Sequence, residues 1–177
     1  MTIRNVLGAL VLGVFVASVA VAEDSPALVF NNAMSNANKR LSKAGYNFGV
    51  TLAPIFNGTE FDGKKAKEQL DEIKEVLDQV NNDMKALRIP DSDEARALYE
   101  AHQQFLKGQK KMLRNEFADL LEIASDDTIT NEEKKQQLGE ILEDVGKIEK
   151  KDLTRLQEAQ RAFGKRHNII IEDAEGE

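Results

Sequence analysis

His102, Gln109 and Glu116 stand one heptad apart, and each carries a polar side chain able to hold a metal ion or a hydrogen bond. Residues seven apart recur on one face of a helix. A helix through 95–124 would therefore draw all three into a polar core strip, fit to bind a metal or to fix helix register. The same letters allow a second phase. If the helix turns slightly, Phe105, Leu106, Leu113, Phe117, Leu120 and Leu121 face the core and leave the three polar residues at its rim. Both phases stay open on the sequence. The two histidines, His102 and His167, are far apart, and neither has the Glu-x-x-His spacing by which facing helices clasp metal ions. The chain has no Cys, which excludes disulfides, thiolate metal sites and cysteine nucleophiles. No serine elbow, phosphate loop or paired-carboxylate cleft can be argued from the letters. No catalytic residue, metal site or cofactor is therefore expected, and the protein is expected not to be an enzyme.

Four shorter patterns carry chemistry of their own. Met34 on the first helix and His167 near the end of the last resemble the axial pair of exported four-helix b-type cytochromes. In antiparallel helices, however, Met34 should face residues 156–160, with His167 roughly 10 Å further along the axis. The second half of Glu122–Glu133 resembles an EF-hand calcium loop, with Asp126, Ile129 and Glu133 at its fifth, eighth and twelfth positions. Its first half departs from that pattern at Ala124 and Asp127, and a turn with a capping box explains the same letters. Leu153-Thr154-Arg155-Leu156-Gln157 resembles the Leu-Thr-x-x-Gln signature of small periplasmic helical stress chaperones. That family repeats the motif and opens a helix with it; here it occurs once, in mid-helix. Asn57-Gly58-Thr59 is a glycosylation acceptor on a turn.

The elements that must position these residues are long helices. From Ala66 to Leu87, apolar residues recur at 66, 70, 73, 77, 80, 84 and 87, an alternation of four and three that draws one greasy stripe down a charged helix. Three more stripes follow the same rule. The first helix begins at Ser25, a good N-cap with Pro26 behind it, and runs through Phe30, Met34, Ala37, Leu41, Ala44, Phe48, Leu52 and Ile55. Gly45 and Gly49, one turn apart, either weaken it or admit a close neighbour. The third spans about 92–124. The fourth starts at Thr130, whose partner Glu133 completes a capping box, and continues through Leu138, Leu142, Val145, Ile148, Leu156, Ala159 and Phe163 to a cap at Gly164. No strand pattern of period two follows the leader.

Short connections at about 57–61, 89–91 and 125–129 force neighbouring helices to run antiparallel. The expected fold is all-α: an elongated, antiparallel, up-down-up-down four-helix bundle after an N-terminal signal peptide. Two helical hairpins paired between two chains satisfy the same pattern. Residues 1–22 read as the signal peptide, with Arg4 ahead of an uncharged run from Val6 to Val21 and small residues at Ala20-Val21-Ala22. Residues 23–164 form the bundle domain, and 165–177 a partly disordered tail. Within that tail Ile169, Ile170 and Ile171 form a candidate docking segment, which either packs on the bundle end or meets a partner.

The net charge of −7 weighs against nucleic acid as a partner, although a local basic patch is compatible with it. The leading expectation is an exported, secreted or periplasmic protein that works by protein–protein interaction or self-association, or as a structural element. No stable membrane insertion is expected after leader removal. The alternatives are a periplasmic chaperone-like protein, or a b-type haem or metal carrier.

Overall fold

The structure, a computed structural model, describes residues 16–18 and 25–172. The expected signal peptide lies outside the described residues except for Val16–Ser18, and Asp173–Glu177 at the other end lie outside as well. The described residues are predominantly helical: α1 Pro26–Asn57, α2 Gly63–Ala86, α3 Asp93–Arg114, α4 Glu116–Ser125 and α5 Asn131–His167. Two short strands, β1 Val16–Ser18 and β2 Ile170–Glu172, pair antiparallel, with Ala17 opposite Ile171. No described helix is long and apolar enough to cross a membrane.

Four of the five helices, all but α4, start where a side chain can satisfy orphan N–H groups. Ser25 Oγ accepts from the Leu28 amide at 3.1 Å, Asp62 Oδ1 from Lys65 at 2.9 Å, and Ser92 Oγ from Ala95 at 3.1 Å. Thr130 and Glu133 close the capping box in both directions, at 3.3 and 2.8 Å. α1 ends at Gly58, whose φ of 69° is the left-handed conformation that a side chain would resist; the Gly58 and Thr59 amides then cap the Ile55 and Pro54 carbonyls.

The four-and-three stripes become the core. Along α2, Ala66, Leu70, Ile73, Leu77, Val80 and Met84 are all buried. They meet α1's Phe30, Met34, Leu41, Phe48 and Leu52 in a single cluster with Leu98, Phe105, Leu120, Leu138 and Phe163. Tilted aromatic pairs join the helices: Phe30 with Phe163 at 5.5 Å and Phe48 with Phe117 at 5.4 Å.

The backbone departs from the sequence reading in three places. The third helix is broken at Asn115, where φ and ψ reach −108° and −86°. The Asn115 amide still donates to Lys111 and its carbonyl still accepts from Asp119, so the ladder bends around a single residue. The last helix does not stop at Gly164. It runs to His167 and ends on Asn168 in the left-handed conformation (φ 56°), because Asn tolerates that region and the Ile169 amide can turn back to the Gly164 carbonyl at 2.8 Å. Lys165–His167, expected in the tail, are therefore helical. Finally, a strand does occur after residue 22: Ile170–Glu172 is extended against β1, where β-branched residues fit well.

Candidate functional site: polar pairs inside the helical core

The chemistry-bearing side chains of the interior come from α1, α3 and α5. On α1, Asn31, Ser35, Asn38 and Ser42 are buried. They stand one residue beyond Phe30, Met34, Ala37 and Leu41, so a small polar stripe runs beside the apolar one. Facing it are His102 and Gln109 on α3, and Glu149 and Gln160 on α5, all buried. They pair across helices in three places. Gln160 Nε2 donates to Asn31 Oδ1 at 2.9 Å and lies 3.5 Å from Ser35 Oγ. His102 Nε2, protonated in the tautomer that fits this contact, donates to Asn38 Oδ1 at 3.1 Å. Gln109 Nε2 donates to Glu149 Oε1 at 3.4 Å.

Burial sets the protonation of the two ionisable members. His102 is fully enclosed, and loss of solvent pushes its pKa down from 6.5 to about 4, so the ring is neutral at pH 7. Its Nδ1 has no hydrogen-bond partner among the described residues. Glu149 is 5% exposed, and burial raises its carboxyl from 4.5 to about 7 against the smaller opposing pull of the Gln109 amide. Between them α1 and α2 leave a void of about 10 Å³, lined by Gly45, Leu41, Ile73 and Leu77 beside Gln109 and Glu149. That is about the space one water needs, and far too small for a cofactor.

Of the three residues expected in a polar strip, His102 and Gln109 reach the interior and Glu116 does not. Glu116 follows the break at Asn115; Phe117, Leu120 and Ala124 take the buried positions of α4, and Glu116 is left half-buried at their edge, its Oε2 enclosed without a partner among the described residues. The three do not converge. His102 and Gln109 each turn to a different partner helix.

The other candidate residues are spent locally. His167 stacks on Phe163, with ring centroids 4.5 Å apart, and its Nε2 lies 3.2 Å from Ser92 Oγ. Met34 is buried one turn from Asn31, whose partner is Gln160, so α5 meets Met34's level about two turns before His167. In the loop resembling an EF-hand, Asp126 Oδ1 accepts from the Thr128 amide and hydroxyl at 2.8 and 2.6 Å, while Glu133 is held by Thr130. Those bonds keep both carboxyls below their ordinary range. Thr154 of the Leu-Thr-x-x-Gln stretch donates to the Lys150 carbonyl at 2.8 Å, within α5. Asn57 and Thr59 are exposed on their turn. Ile169 is buried, Ile171 packs against the core and Ile170 is 54% exposed.

Glu149, Asn31, Asn38 and Gln160 were missed by the sequence reading, which placed Ile148 on the stripe of the last helix. Ile148 is 38% exposed. A signal was present: continuing three-and-four steps from Leu142 and Val145 lands on 149, 152 and 156, two of them carboxylates.

No family model, curated protein or solved structure matches this chain.

Proposed function

We propose that this is an exported, non-enzymatic protein built as an antiparallel up-down-up-down four-helix bundle, acting by association with another protein or with itself. The observation that carries the reading is the pairing of interior polar groups across helices: Asn31 with Gln160, Asn38 with His102, and Gln109 with Glu149. A buried polar pair is poorly stabilising but selects one register among many that an apolar seam would accept. Such groups serve a scaffold that must present one fixed surface.

The helix directions fit the bundle. Contacts of Ser92 with His167 and Gln109 with Glu149 run α3 against α5, while Asn38 with His102 and Phe48 with Phe117 run α1 alongside α3 and α4. Export rests on the charge-free run and small residues of the leader. The test has two readouts. The exported fraction is to contain a chain beginning at Glu23, by mass. Light scattering and crosslinking of that purified chain are to show a dimer or a stoichiometric complex with a partner. An uncut chain retained in the cell defeats the export reading, and a strict monomer that forms no complex defeats the association reading.

A further inference from the structure

The acidic average of the chain conceals one strongly cationic cleft. It is an open groove of about 690 Å³ between α3 and α5, lined by Lys107, Lys111, Arg114, Lys151 and Arg155 around a single carboxylate, Asp152. The first three recur at four and three residues along α3, and the last two one turn apart along α5, so two ladders of positive charge face each other. The helices close on one another at Gly108, which has no side chain and over which the Asp152 carboxylate lies. A sixth cation, Lys110, also lines the cleft but is drawn to Asp78 on α2 at 3.1 Å.

Among the described residues outside the cleft, some cations meet carboxylates and others, such as Lys39, Lys43 and Lys85, do not; what marks the cleft is that five of them gather around one carboxylate. Arg40 meets Asp83, Arg96 meets Asp91 and Asp93, and Lys147 meets Glu143 and Asp144. Among the described residues, none of the five cleft cations has such a partner. With a net charge of −7, the cluster is not a by-product of a basic composition. Like charges held together repel, and the arrangement is relieved by an anion in the cleft. Two guanidinium forks and three ammonium groups within one concavity match the dense charge and tetrahedral oxygens of phosphate. A carboxylate peptide spreads its charges along a neutral backbone and fits less well.

We propose that the α3–α5 cleft is a binding site for a ligand carrying clustered phosphate groups, either soluble or as a lipid headgroup. The site is independent of the association reading.

The test uses the protein from Glu23 onward and two probes: inorganic tripolyphosphate by calorimetry at low salt, and co-sedimentation with phosphatidylcholine vesicles with or without phosphatidic acid. Binding of tripolyphosphate alone identifies a soluble ligand, and binding of phosphatidic acid vesicles alone identifies a headgroup. Arg114→Gln with Arg155→Gln is to weaken the bound probe by about tenfold or more, and added salt is to weaken it further. Lys39→Gln with Lys43→Gln, exposed on α1, removes the same charge and is to leave binding unchanged. Lys111→Gln with Lys151→Gln repeats the cleft test should the arginine pair fold poorly. Failure of both probes to bind, or equal weakening by the α1 pair, overturns the site.

Discussion

Gln109 and Glu149 meet across α3 and α5, the amide Nε2 standing 3.4 Å from the carboxylate Oε1, in a pocket whose other walls are apolar. One neutral donor is a poor substitute for water, so the carboxyl holds its proton up to about pH 7. His102, about two turns away on α3, is subject to the same burial with the opposite consequence. Its neutral form prevails down to about pH 4.

The two groups give opposing pH slopes. Glu149, raised from 4.5 to about 7, contributes most below pH 4.5, and that contribution is lost as pH rises to 7. His102, lowered from 6.5 to about 4, contributes fully above pH 6.5, and that is lost as pH falls to 4. Each range corresponds to about 3 kcal/mol. Glu149→Gln is therefore expected to gain about 2–3 kcal/mol above pH 7 and to expose stability that rises from pH 4 to 6.5. His102→Gln is expected to expose a fall from pH 4.5 to 7. Urea titrations at several pH values check both, and parallel profiles for the two variants would refute the assignment.

Asn38→Ala takes the acceptor from His102 Nε2 and leaves a fully enclosed ring with no bonded nitrogen. The expected loss is about 1–3 kcal/mol, the cost of stranding a buried polar group. Asn38→Asp supplies a carboxylate beside the ring and is expected to raise the His102 pKa, read by NMR titration of the imidazole.

Gly164→Ala tests how β2 is anchored. An added Cβ would stand 2.6 Å from Ile171 Cγ1 and 2.8 Å from the Ile169 carbonyl oxygen. The segment after Asn168 must then move off α5, at a cost of about 1–3 kcal/mol. Faster proteolysis after residue 167 with the helical circular dichroism unchanged is the expected result.

Removal of residues 1–22 takes away β1 and with it the backbone partner of Ile170–Glu172. Amide exchange across 170–172 is expected to be faster in the chain beginning at Glu23 than in the full chain, with Ile169 still protected by burial. Equal exchange in the two chains would show that β1 does not hold this segment.

The helical segments were legible because their signals are local and periodic. The α2 stripe, the caps at Ser25 and Ser92 and the Thr130–Glu133 box can all be read from neighbouring letters, since each concerns groups within a turn or two. The candidate site was legible only on α3. His102 and Gln109 stood out as polar residues on an apolar face, whereas Glu149 was hidden beside Ile148, a residue that hydrophobicity favours and packing turned outward. Asn31 and Asn38 were hidden for another reason: small polar residues beside an apolar stripe read equally well as a helix flank facing water.

By itself the sequence determined which long segments are helical and where the capped ones begin, because backbone capping and 3.6-residue periodicity act between near neighbours. Only the tertiary structure decided that the third helix breaks at Asn115 and leaves Glu116 half-buried, that Asn38 and Glu149 answer His102 and Gln109, and that six cations from two helices line one cleft. Those outcomes depend on the relative rotation of packed helices. A turn of a few tens of degrees exchanges inside for outside, and only the filling of the shared core settles it.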